Sequence, residues 1–338
     1  MEGESPALPG LGRAGLVKAA VCAAVCVLFW RAGFLSLFFL VPPGFAAAAF
    51  GGPVAWAALV IAGLGSLAVA GLSAPGGGFG GAGLDLLYFG VLGTGFTWVM
   101  AGNPPGLRLA APRTFFRFAA ASAVAALVVM GTVRLMPPGE FFAMLEPLVS
   151  AYVEGVSAGD EARRAALEQT LTAERLGGAV SSIIFRGGAL FSAALLLFFS
   201  RKLAFGVARL FRRGRRAPGD LRGFFAPKSA LLVLSLSLPA VLLARALALP
   251  VTEVAAWNLL VICVIAFVAQ GGGVVLFNLA LRPLPVVARV LLGVVFAVAL
   301  LSPGVNIVVL GALMLLGIAE NWLPLRRADA RAVGGKSP

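Results

Sequence analysis

Apolar runs fill most of this 338-residue chain, and their lengths suit helices that cross a bilayer. No ionisable side chain occurs between Ala32 and Leu84. A membrane-spanning helix takes roughly 20 predominantly apolar residues, so that stretch alone holds two. Ten apolar segments can be drawn, near 14–30, 33–50, 54–72, 84–101, 115–134, 179–200, 229–248, 254–279, 285–301 and 304–323. Barrel strands would alternate apolar and polar residues, whereas "AVAALVVMGTV" and "ALLLFF" are apolar on every side. Within lipid the backbone must pair internally, which helices achieve. The pattern predicts an all-α fold: a polytopic helical membrane protein of about 8–10 transmembrane helices, one integral membrane domain over 1–338. Pro42 and Pro43 interrupt the second segment and leave open whether 33–50 crosses or re-enters. The first run continues through "VCVLFW" into further spans, as an uncleaved first helix does.

Charge gives these spans a direction. Segment 201–228 holds nine basic residues against Asp220 alone, while 136–177 holds seven acids against Arg163, Arg164 and Arg175. Lys and Arg in short loops mark the cytoplasm. The first segment is therefore read as a basic cytoplasmic loop and the second as an extracytoplasmic amphipathic helical segment. With an even number of crossings, both termini are cytoplasmic, and Arg13, Lys18, Arg108, Arg113, Arg117, Arg282, Arg289, Arg326 and Arg327 fall inside. Arg31 falls outside, close enough to snorkel. The net charge of +13 is then mostly topology. Arg212, Arg213, Arg215 and Arg216 are candidates for contact with anionic lipids or a partner protein. No aromatic interleaving supports a nucleic-acid partner.

In 136–177, Phe141, Leu145, Leu148 and Tyr152 fall at helical spacing on one stripe, and Pro147 predicts two short pieces there. Asp160 is a candidate N-cap, Arg164 and Glu168 an i,i+4 pair, and Gly177 a helix stop. Such helices lie on the bilayer, cap the bundle or cover an entrance.

Catalytic chemistry is thinly provided. Histidine is absent, which removes Ser-His and Cys-His catalysis and most zinc sites. Cys22, Cys26 and Cys263 all lie in apolar spans, where cysteine packs as a small hydrophobe. "GFGGAG" at 78–83 fits a dinucleotide motif but follows no strand. The expectation is a protein that is not an enzyme, with no catalytic residues, metal site or cofactor.

Polar residues within spans suggest function by default. Arg186 lies inside "AVSSIIFRGGALF", Asp85 stands at a span entrance, and Asn258, Gln270, Asn278 and Asn306 are deeper amides. "CVIAFVAQGGGVVLFN" sets Gln270 before three glycines, each costing about 1 kcal/mol relative to alanine in a helix. Either a second backbone approaches there, or the helix unwinds to face a cavity. Gln270, Gly271, Asn258, Asn278 and Arg186 are the candidate ligand-binding residues.

"WNLLVI", "AQGGG" and "LGIAENWLPLRR" together resemble the YybS-like bacterial integral membrane proteins, whose activity is uncharacterised. Asn258, Gln270, Gly271, Gly317, Glu320, Trp322 and Arg326 or Arg327 match the recurring positions. The second and third glycines of the run depart from them. The resemblance covers roughly 220–330 and implies the bacterial cytoplasmic membrane. Analogy with the substrate-binding components of energy-coupling-factor vitamin transporters implies an intramembrane small-molecule cavity. It also implies small-residue faces such as Ala19/Ala23 against a coupling protein. Two functions follow: a transport-related small-molecule binding component, or a membrane scaffold or assembly factor acting through the basic loop.

Overall fold

The structure is a computed structural model describing residues 12–73, 79–103, 114–157, 160–211, 221–282, 284–302, 304–323 and 325–326. All regular structure among them is helical. Contacts divide the chain into two units, 1–217 and 218–338.

The first unit contains α1 (Arg13–Arg31), α2 (Val41–Phe50), α3 (Gly52–Ser73), α4 (Phe79–Ala101), α5 (Thr114–Leu135), α6 (Pro138–Ser157), α7 (Glu161–Thr170), α8 (Ala173–Ile183) and α9 (Ala189–Leu210). The small α2 sits among α1, α3, α4 and α9. Its surroundings explain why a ten-residue helix can be central. Ala19, Ala46, Ala55 and Ala58 are buried together, and the bare face of Gly44 seats the ring of Phe96 and the methyl of Ala204. Leu64, Leu127 and Leu195 face outward. Small residues at the contacts of α2 allow close backbone approach, which drives packing in lipid where burial from water cannot, and Phe39, Phe89 and Phe96 fill the core beside them.

Segment 33–50 is broken. A 3₁₀ turn over Gly33–Phe38 precedes α2, and together they are long enough to cross. The break falls at Phe39–Leu40, ahead of the prolines. Pro42 and Pro43 occupy the first turn of α2, where their missing N–H groups would have lacked partners anyway. The Cys26 thiol donates to the Phe39 carbonyl at 3.1 Å. Trp30, Phe39 and Phe89 stack edge to face or tilted around the break, with centroids 4.6–5.5 Å apart.

Segment 136–177 corrects three expectations. Helix α6 runs unbroken through Pro147, at the cost of one backbone hydrogen bond. Its predicted stripe splits: Phe141 and Leu145 are partly covered, whereas Leu148 and Tyr152 are exposed beside Met144. Gly177 stops no helix; it lies inside α8, where the Phe142 ring rests on it. Asp160 does cap α7 by accepting from the Arg163 N–H at 3.1 Å, and Arg164 pairs with Glu168 at 2.9 Å. Thr172 caps α8 in the same way. On the other side of the unit, α9 continues ten residues into the stretch read as basic loop.

The second unit contains α10 (Lys228–Ala246), α11 (Pro250–Leu281), α12 (Val286–Leu301) and α13 (Val305–Ala319). Helix α11 packs against α10 and α13. Its 32 residues make a rod of about 48 Å, well beyond the roughly 30 Å of hydrocarbon in a bilayer. Helices α12 and α13, 16 and 15 residues long, are each short for a crossing and meet at 110° across a turn at Gly304. Among the described residues seven helical stretches are long and apolar enough to cross, or eight if this bent pair is one broken span.

Candidate functional site

Gln270 sits within a regular helix, buried. Helix α11 is regular through 270–273, so the unwound turn is not formed. The Gln270 side chain is buried and its Oε1 accepts from the Ala226 N–H at 3.0 Å. Its backbone carbonyl accepts from Arg326 Nη2, also at 3.0 Å. Arg326 is the hub. Nη1 donates to the Arg222 carbonyl at 2.6 Å and Nη2 to the Phe224 carbonyl at 3.0 Å. Nε and Nη2 lie 2.7 and 2.8 Å from the two oxygens of Glu320, and the guanidinium stacks 4.4 Å from the Phe225 ring centroid.

Both partners are over nine-tenths buried. A buried charge is tolerable when paired with an opposite one, and the planar five-donor guanidinium is the group that can reach so many acceptors. The result is a clasp that ties the end of α13 to residues 221–226 and to α11.

The glycines serve the same clasp. A Cβ on Gly271 would overlap the Leu313 carbonyl, and one on Gly317 the Phe267 carbonyl, so the two residues form the crossing of α11 and α13. A Cβ on Gly273 would overlap the Leu221 carbonyl and crowd Arg326. Gly272 between them meets nothing within 4 Å. Five positions of the sequence pattern, Gln270, Gly271, Gly317, Glu320 and Arg326, are thus brought together.

Asn258 and Asn278 are not. They stand about 18 and 12 Å along α11 from Gln270, and each donates to its own helix, to Val254 at 2.8 Å and Val274 at 3.0 Å. Trp322 is exposed.

Arg186 belongs to the first unit and to a different feature. Between α8 and α9 the chain makes a π turn over Ile184–Gly188, with Arg186 at φ −86°, ψ 27° and Gly187 at φ 102°. Arg186 is exposed there and Gly187 buried. Beside this turn lies a cavity of about 350 Å³, half open to the surroundings, with Ile183 and Ser192 of its wall exposed. Tyr88 and Leu92 of α4, Ala125 and Val129 of α5, and Ile183 and Ser192 on either side of the turn contribute to its wall. The lining is aliphatic except for two hydroxyls, Tyr88 and Ser192. The residue pattern offered one signal for this place, the Arg-Gly-Gly at 186–188; the wall itself is ordinary apolar sequence.

Several expectations resolve more simply. Ala19 and Ala23 are buried within the first unit, so that face is not open to a coupling protein. Arg108, Arg113, Arg212, Arg213, Arg215, Arg216 and Arg327, and the side chains of Asp85 and Arg289, lie outside the described residues.

These features define a class: a polytopic helical membrane protein, multi-pass, with alanine and glycine at its closest helix contacts. No family model, curated protein or solved structure matches the chain.

Proposed function

We propose that this is a multi-pass protein of a bacterial cytoplasmic membrane that binds a small apolar or single-chain amphipathic molecule between α4, α5, α8 and α9. It would act as the binding component of a transport system. The observation that carries this is the cavity itself. Small-molecule sites are concave, mostly apolar, and roughly 300–1,000 Å³, with few polar groups to orient the ligand. About 350 Å³ of aliphatic wall with the hydroxyls of Tyr88 and Ser192 fits the small end of that range. A π turn in the wall adds support, since such turns recur at functional sites. The resemblance to YybS-like proteins agrees with an intramembrane binder. The ligand reading moves away from Gln270, whose side-chain oxygen and backbone carbonyl are already engaged in the clasp.

Photolabelling tests it. A diazirine-bearing dodecanoate, with the protein in nanodiscs, should label peptides covering 180–196, and unlabelled dodecanoate should compete. Ser192→Phe, which fills the space from an exposed position, should abolish that labelling. Labelling spread evenly over all lipid-facing helices and indifferent to Ser192→Phe sinks the reading.

A further inference from the structure

Arg117 stands in the first turn of α5. From there to Leu135 the helix rises about 27 Å, close to the roughly 30 Å of hydrocarbon in a bilayer. Arg117 therefore lies at the level of the lipid headgroups. Helix α9 packs against α5, and Ala121 and Leu197 belong to one buried cluster. Arg117 comes one turn before Ala121 and Arg201 one turn after Leu197, which sets the two arginines side by side at the same end of the unit. Both are half-buried and close enough to repel one another.

Arg117 is held in place. Its Nη1 donates to the Trp98 carbonyl at 3.1 Å, near the end of α4, and sits against the bare face of Gly102, whose φ of 83° turns the chain there. The Arg117 Nε is buried and meets no acceptor among the described residues. The Arg201 guanidinium lies 5.8 Å from the Phe205 ring centroid. Charged groups within spans normally pair with opposite ones, and the surrounding helices bring no carboxylate to this end. Helices α1, α2, α3, α5 and α9 contain no Asp or Glu, and Asp85 of α4 stands about 24 Å along its helix from Ala101. The acids of α6, α7 and α8 follow the opposite end of α5.

We propose that Arg117 and Arg201 together bind the phosphate of an anionic phospholipid headgroup where α5 and α9 meet the end of α4. The planar fork of a guanidinium matches two phosphate oxygens, and basic pockets between spans are where anionic headgroups dock. A phosphate between the two arginines turns their repulsion into a shared attraction and gives the Arg117 Nε an acceptor. Their level in the bilayer is what selects a headgroup over a phosphate free in water. The site stands apart from the cavity at the π turn and does not depend on it.

Native mass spectrometry of the full chain in detergent tests this, with dioleoyl phosphatidylglycerol set against dioleoyl phosphatidylcholine. The anionic lipid should be held about tenfold more tightly. Arg117→Gln and Arg201→Gln should each abolish that preference, whereas Arg209→Gln, an exposed charge farther along α9, should leave it intact. Equal retention of the two lipids overturns the proposal. So does an equal loss in Arg209→Gln, because any basic residue at this end would then serve. Displacement of the bound lipid by millimolar inorganic phosphate assigns the pair to a free anion and overturns the lipid. Hydrogen exchange on the unaltered chain in nanodiscs decides the matter where a variant fails to fold. Phosphatidylglycerol should slow exchange at 114–117 about tenfold relative to phosphatidylcholine, and equal rates overturn the site.

Discussion

Arg186 and Gln270 each precede a run of glycines within a long apolar helix, yet the chain treats the two places differently. After Arg186 the helix breaks, Gly187 turns left-handed, and a cavity opens alongside. After Gln270 the helix continues without a fault. The difference lies in what stands opposite. Gly271 and Gly273 meet the backbone carbonyls of Leu313 and Leu221, and regular helix geometry is what sets their bare faces at those contacts. Glycine lowers the cost of a break and of a close approach alike; the neighbours decide which one occurs.

The comparison breaks most readily at the clasp. Arg326→Gln leaves Glu320 buried without its partner, and loss of one member of a buried pair costs about 3–5 kcal/mol. Unfolding of the detergent-solubilised protein should register a loss of that size. The double variant with Glu320→Gln should recover part of it, since no charge is then stranded. A loss below about 1 kcal/mol for Arg326→Gln would mean that the clasp does not hold this region together.

Next in size is the crossing of α11 and α13. Gly271→Ala and Gly317→Ala each place a methyl against a backbone carbonyl and should destabilise by about 1–3 kcal/mol. The two residues share one contact, so the pair of substitutions should cost less than their sum. Strict additivity in the unfolding measurements would show that the two positions do not touch.

Much of the architecture was legible because lipid imposes a coarse rule. Spans at 14–30, 115–134 and 229–248 fall within a residue or two of α1, α5 and α10. The caps at Asp160 and Thr172 follow local rules, and the first was read directly. Pro147 was misread as a break because tertiary packing against α8 holds the helix together despite the lost hydrogen bond. The clasp was half legible. Its five residues stood out as a pattern, but their partners are the carbonyls of Arg222 and Phe224, and any residue type supplies a carbonyl. The cavity was the least legible, because Val, Ile and Ala lining a void read the same as Val, Ile and Ala facing lipid. Only the glycines at the π turn marked it.

The sharpest form of the comparison uses one substitution at two glycines. At Gly187 a side chain must adopt the left-handed region, which costs an L-residue roughly 1–2 kcal/mol. At Gly272 a methyl meets open space within a regular helix, so alanine should stabilise by up to about 1 kcal/mol through helix propensity. Gly187→Ala and Gly272→Ala should therefore shift the unfolding midpoint in opposite directions, by a small amount each. If both variants lose stability, the space beside Gly272 is filled, and all three glycines after Gln270 are packing positions. If both gain, residue 187 adopts ordinary helical geometry and the π turn between α8 and α9 is not there.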